Sequence, residues 1–219
     1  MVPKLVLISI ISFPWCPLSL FTVDLRRFKN VETMKGERAI GRDGAVFLSF
    51  ALSGGACPRL RHLNLGWNLI KKAGCDRLLD ALDKLGAACL IEVLDLRMNH
   101  LPGSCVAKLC RLLRRGPQGE GPPVLPKLEQ LDLRQNVVGD EGGQALAHAA
   151  LAGGLKTLRR LNVSANQMGD SGVRALHKAF SAEAVAELCP HIEGVNCRDN
   201  VLDPCTAKLF DPCPIFFQV

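Results

Sequence analysis

Apolar and polar positions alternate in short bursts along this chain, and the bursts recur. LRHLNLGWN (60–68), IEVLDLRMN (91–99), LEQLDLRQN (128–136), LRRLNVSAN (158–166) and IEGVNCRDN (192–200) all fit the pattern LxxLxLxxN, with aliphatic substitutes. Each ends on an asparagine: Asn68, Asn99, Asn136, Asn166 and Asn200, separated by 31, 37, 30 and 34 residues. The LxL alternation predicts a short strand with one buried face. The segment after each Asn has helical spacing instead. An aliphatic residue stands two positions on (Ile70, Leu101, Val138, Met168, Leu202). A small residue stands six on (Gly74, Cys105, Gly142, Gly172, Thr206), and a large apolar one ten on (Leu78, Leu109, Leu146, Leu176, Phe210). Asp140 and Asp170 stand where N-caps of the helices after Asn136 and Asn166 are expected. The same offsets upstream pick out Ile40, Gly44, Leu48 and Leu52, a sixth helical half in which Arg38 replaces the Asn and the strand pattern is lost or displaced.

One strand–helix unit is too thin to bury its own apolar face, but stacked units form a continuous core. Where each strand ends the chain turns, and backbone groups there lose their ladder partners. An Asn amide, both donor and acceptor, can satisfy them from inside. Every unit repeats the problem, so every unit repeats the Asn. The five asparagines are therefore expected to form a structural ladder.

LxxLxLxxN followed by a helix of form xIGDxGxxxLxxxL resembles the ribonuclease-inhibitor-like class of leucine-rich repeats. That class includes ribonuclease inhibitor, the carboxy-terminal arrays of NOD-like receptors and the Ran GTPase-activating proteins. The resemblance covers roughly residues 38–210. It implies an α/β leucine-rich-repeat solenoid, a horseshoe with parallel strands on the concave face and helices on the convex face, and a protein partner. The chain departs from the class in its irregular spacing and weak end units. GPQGEGPPVLP (116–126) explains one long spacing as a Gly/Pro-rich loop projecting from the outer edge. The stretch from Phe180 to Pro190 extends the helix after Asn166 or adds a turn to it.

In LxxLxLxxN the third, fifth, seventh and eighth positions point away from the core. The fifth position runs Asn64, Asp95, Asp132, Asn162, Asn196. The seventh runs Gly66, Arg97, Arg134, Ser164, Arg198, and the eighth Trp67, Met98, Gln135, Ala165, Asp199. Trp and Arg dominate interface energies more often than other types. The candidate partner-binding set is therefore Trp67, Asp95, Arg97, Met98, Asp132, Arg134, Gln135, Arg160 and Arg198. The plainer reading pairs these acids and arginines across strands for solubility alone, and leaves Trp67 filling a gap under the weak first repeat.

Composition narrows the function classes. The net charge of +6 comes from 27 basic and 21 acidic residues mixed through the repeats, without interleaved aromatics, so nucleic-acid binding is not expected. Ten cysteines, at 16, 57, 75, 89, 105, 110, 189, 197, 205 and 213, form no CxxC pair and do not cluster at the ends of the array. Cys105 and Cys197 occupy slots that want a small buried residue. Free thiols in a reducing compartment are the expectation, and with them a cytoplasmic protein. The five histidines (62, 100, 148, 177, 191) have no ligand spacing, and no phosphate-binding glycine motif occurs. No cofactor, metal or small-molecule substrate is expected.

GDSG at 169–172 is also the string around the nucleophile of chymotrypsin-like proteases. It aligns with GDEG at 139–142, where Glu141 replaces Ser171, so it reads as the ordinary strand-to-helix turn. Asn162-Val163-Ser164 is a glycosylation sequon placed in a strand.

The chain divides into an apolar segment at 1–30 (a cap, a degenerate repeat or a weak signal), a repeat domain at 31–210 with about five full repeats, and a tail at 211–219. Leu5–Phe13 has the size of a signal h-region, but Pro14 and Pro17 come next and no small-x-small site appears. A membrane span would need about 20 apolar residues, so none is expected. Leu5–Phe13 and Ile215–Val219 leave both ends apolar, so either they fold over the terminal repeats or the array continues. The expected function is non-catalytic protein binding on the concave strand face. A GTPase-regulating protein resembling the Ran GTPase-activating proteins, and a secreted or membrane-tethered recognition protein, are the alternatives.

Overall fold

A computed structural model describes residues 22–24, 40–55, 57–114, 123–181, 187–203 and 217–218. The three-residue strands are β1 (Thr22–Asp24), β2 (His62–Asn64), β3 (Val93–Asp95), β4 (Gln130–Asp132), β5 (Arg160–Asn162) and β6 (Gly194–Asn196). The shorter β7 (Phe217–Gln218) comes last. They form one parallel sheet in sequence order. The middle residue of each strand, the first apolar residue of the LxL burst, lies beside its counterpart, Leu63 next to Leu94, then Leu131, Leu161 and Val195. Parallel neighbours require a crossover, supplied here by α1 (Gly41–Ser53), α2 (Lys71–Leu85), α3 (Gly103–Leu113), α4 (Gly139–Leu151) and α5 (Asp170–Ala179). The fold is thus an α/β leucine-rich-repeat solenoid.

The core lies between the two layers. Leu63, Leu65, Leu94, Leu96, Leu131, Leu133, Leu161, Val163, Val195 and Cys197 enter it from the strand side. Leu78, Leu82, Cys105, Leu109, Leu146, Val173 and Leu176 meet them from the helices, all essentially inaccessible. These side chains are aliphatic or thiol; among the described residues Phe180 adds a buried ring after α5. The small residues six past each Asn permit close helix approach. A Cβ on Gly74 would stand 2.7 Å from Ile70 Cγ2 and 3.0 Å from Ala45 Cβ of the preceding helix.

At the strand exits the asparagines hydrogen-bond from one repeat to the next. Asn136 Oδ1 accepts from the backbone N–H of Asn99 (2.9 Å) and Leu101 (3.0 Å) one turn earlier. Its Nδ2 donates to Leu133 O (2.7 Å) and to Leu96 O (3.1 Å). Asn99 receives the N–H of Asn68, Asn166 that of Asn136, and Asn200 that of Asn166. At the near end Asn68 Oδ1 accepts from Ile40 N. Asn68, Asn99 and Asn166 are completely buried. The residue before each Asn has left-handed backbone, with φ of 65° at Trp67, 53° at Met98, 55° at Gln135, 52° at Ala165 and 58° at Asp199. Such a conformation costs a non-glycine residue about 1 kcal/mol, and the ladder holds the chain in it.

Several expectations are corrected. Asp140 and Asp170 do not cap their own helices, which begin without a side-chain cap. Asp140 reaches forward one repeat and accepts from Gly169 N (2.7 Å), Gly172 N (2.9 Å) and Ser171 Oγ (2.7 Å) at the start of α5. Asp170 does the same for Asp203 N (3.0 Å). Each GDxG carboxylate therefore ties two repeats together. Burial alone would raise the Asp140 pKa, but the bonds from Ser171, Gly172 and Gly169 outweigh it and hold the carboxyl below its ordinary value.

The end of the Gly/Pro segment also differs from a projecting loop. Val124 and Leu125 are buried, and Val124 N bonds to Leu112 O. Positions 116–122 lie outside the described residues. The strand missing before Ile40 is displaced: Val23 pairs in register with Leu63, ten positions before the slot that Arg38 would set. After Asn166 the helix stops at Ala179 and Phe180 turns into the core; 182–186 lie outside the described residues. The run 5–13 and Cys16, Cys205 and Cys213 lie outside as well, and so does 215–219 except for β7. Among the described residues no helix is long and apolar enough to cross a membrane.

Candidate protein-binding face

The third and fifth positions of the strands form an open groove of about 700 Å³ on the sheet face turned away from the helices. Val93, Gln130, Arg160 and Gly194 line one side of it; Asn64, Asp95, Asp132, Asn162 and Asn196 line the other. The fifth-position side chains are only partly available. Each one's Oδ1 accepts the backbone N–H two residues on: Gly66, Arg97, Arg134, Ser164 and Arg198, at 3.0–3.1 Å. This second column of hydrogen bonds closes the strand exit from the solvent side, as the asparagine ladder closes it from within.

Of the nine candidate residues, Trp67, Gln135, Arg160 and Arg198 are exposed. Arg97, Met98, Asp132 and Arg134 are half-buried, and Asp95 is buried. Trp67 is 43% exposed and so does not fill a gap in the core. Arginines and acids pair within a strand rather than across strands here. Arg97 Nε lies 3.3 Å from Asp95 Oδ2, and Arg134 Nε lies 3.4 Å from Asp132 Oδ2. Neither N–H points at its carboxylate, so both buried Nε atoms lack a hydrogen-bond acceptor. Burial pushes the Asp132 carboxyl up, and the nearby Asp95 charge adds to this against the Arg134 N–H and the two guanidinium groups.

Cross-strand pairs lie instead at the strand entrance, in the second-position column. Arg61 meets Glu92, and Arg159 and Arg160 both meet Glu193. Sequence reasoning missed this column and the groove-lining Val93 and Gln130. The signal was available: the third position faces outwards, although only Arg160 of that column is in the candidate set, and the second position also varies between units.

The protease-like string carries turn geometry. Ser171 donates to Asp140 and receives Gln144 Nε2 at 3.4 Å. Seven described cysteines are free thiols, six of them buried. Burial pushes Cys110 and Cys197 up to about 12 and Cys189 up to about 11. Asn162 of the sequon sits in β5, and its Oδ1 accepts from the buried Ser164.

Residues 124–147 and 154–176 match the family model described as Leucine Rich repeat. Over 113 residues the chain is 34% identical to NACHT, LRR and PYD domains-containing protein 5 from Bos taurus. That alignment covers 52% of this chain, and the chain spans only 9% of that relative's length.

Proposed function

We propose that this chain, a leucine-rich-repeat protein of the ribonuclease-inhibitor-like and NOD-like-receptor type, is a non-catalytic module that binds a partner protein on its concave strand face. Domains of this kind generally mediate protein–protein interaction. One observation carries the finer reading: the inward columns and the Asn/Asp column of the fifth position repeat in type, and the third-position column of the groove does not. Leu63, Leu94, Leu131, Leu161 and Val195 are interchangeable core residues, and the asparagines are identical. Beside them the groove wall runs Val93, Gln130, Arg160, Gly194. Stacking needs the first regularity. It places no demand on the second set, which is the freedom a recognition surface uses.

The proposed contact residues are Trp67, Asp95, Arg97, Met98, Asp132, Arg134, Gln135, Arg160 and Arg198, extended by Val93 and Gln130. The free, buried thiols support a reducing compartment, and a cytoplasmic site of action is proposed on that ground.

Capture from the protein's own cell extract tests the proposal when two charge-changing variants are compared. Val93→Lys with Arg160→Glu alters the groove; Arg77→Glu with Arg111→Glu alters exposed helix positions. The groove variant is expected to lose the partner and the helix variant to keep it. The reverse pattern, or equal recovery by both, would overturn the proposed face.

A further inference from the structure

The rim where the strands exit is electrostatically lopsided. The first two exit stretches, 66–73 and 97–104, contain Lys71, Lys72 and Arg97 and no acid, a formal charge of +3, of which Lys72 is paired with Asp76 in α2 (2.7 Å). The next three, 134–141, 164–171 and 198–203, contain Arg134 and Arg198 against Asp140, Glu141, Asp170, Asp199 and Asp203, or 2 − 5 = −3. Trp67 stands in the basic half, 43% exposed.

Arg97 is laid across this half rather than upright on its own strand. A Cβ built on Gly66 would come within 3.0 Å of both Cγ and Nε of Arg97, so the arginine stem covers the neighbouring turn where a side chain is missing. The next strand holds Arg134 in the equivalent position, about 5 Å away by parallel-strand spacing. In both pairs the arginine is the more exposed partner, 16% against 11% for Asp95 and 40% against 25% for Asp132. Both Nε atoms are buried beside their own aspartates, so what each arginine offers to a partner is the rest of its side chain.

We propose that this basic half-rim, built from Trp67, Lys71 and Arg97 and bounded by Arg134 where the acidic half begins, receives a partner segment carrying acidic side chains next to a large apolar one. The carboxylates meet the Lys71 ammonium and the accessible part of the Arg97 guanidinium, and the apolar side chain covers Trp67. Asp95 and Asp132 do not reverse this preference. They are the inner members of their pairs, and each already spends an oxygen on a backbone N–H. This inference deepens the concave-face reading and rests on it.

A phage-displayed library of random peptides, selected on the full chain, provides the test. Enriched peptides are expected to place Asp or Glu beside Leu, Phe or Trp and to bind more weakly as salt rises. Arg97→Gln should weaken them roughly tenfold, the loss expected for one charge-assisted hydrogen bond. Gly66→Ala should also weaken them, although it removes no charge, because the new methyl group displaces Arg97. Circular dichroism and a melting curve for each variant separate lost binding from lost fold. Neutral or basic enriched peptides, no enrichment, or affinities untouched by both substitutions would overturn the inference. Peptides lost on Val93→Lys with Arg160→Glu, yet unaffected by Arg97→Gln, would refute the rim while leaving the groove reading intact. Indifference to all these variants would refute both. Self-association of the chain that disappears with Arg97→Gln would assign the rim to a second copy instead.

Discussion

Replacing Asn136 by Ala removes one rung of the ladder, and the neighbouring rungs determine the cost. The carbonyls of Leu133 and Leu96 each keep a second donor, because Asn166 Nδ2 also reaches Leu133 O (2.9 Å) and Asn99 Nδ2 also reaches Leu96 O (3.0 Å). The backbone N–H groups of Asn99 and Leu101 keep nothing, since Asn136 Oδ1 is their acceptor and the site is 5% exposed. Two buried donors left unsatisfied cost about 1–3 kcal/mol each, giving a loss of about 4 kcal/mol. That is a large share of a typical domain stability of about 5–15 kcal/mol. Urea unfolding followed by circular dichroism measures it, with Gln135→Ala as an exposed control expected within about 0.5 kcal/mol of wild type. Hydrogen exchange should show the amides of Asn99 and Leu101 losing protection before those of distant repeats. A loss below about 1 kcal/mol would show that water satisfies these donors and that the ladder is not what closes the turns.

Further predictions concern the joints between repeats. Asp140→Ala should cost about 1 kcal/mol, the usual value of a helix cap. Because the Asp140 pKa is lowered in the folded protein, its stabilisation is complete above the unfolded value of about 4 and is lost as pH falls below it. Wild type and variant should therefore differ in melting temperature at neutral pH and converge in acid. Gly143→Ala ought to gain about 1 kcal/mol of helix propensity, yet the new Cβ would stand 3.0 Å from Gly172 Cα and 3.0 Å from Met168 Sδ. A net loss of stability in urea is predicted, and a gain would show that α4 and α5 can separate. Gln135→Gly relieves a φ of 55° at an exposed site and should raise the urea midpoint, by up to about 1 kcal/mol in stability.

Most of the layer architecture was legible in the sequence because one constraint recurs in each turn. The LxL bursts fixed which residues enter the core, and Asn68 to Asn200 fixed where the strands end. Asp140 was misread because helix caps are ordinarily local, whereas this carboxylate reaches the next unit, a contact no linear spacing encodes. Val124 and Leu125 were hidden inside a Gly/Pro-rich stretch whose composition signals a loop, although two aliphatic residues at its end return to the core. The β1 strand was missed because the distance from strand to helix, constant in later repeats, is ten residues longer in the first. On the concave strand face, period alone places side chains outwards. It does not reveal that the fifth position hydrogen-bonds its own backbone, nor that Arg97 leans over Gly66.

The most direct test is solvent exchange of side-chain amide protons, read by NMR on the isotopically labelled protein. The Nδ2 protons of Asn99, Asn136 and Asn166 should remain visible long after transfer to heavy water and show contacts to the preceding repeat, while the Nε2 protons of exposed Gln135 vanish at once. Equal, rapid exchange of all four would contradict the stacked, in-register layers on which the fold and the proposed binding face depend.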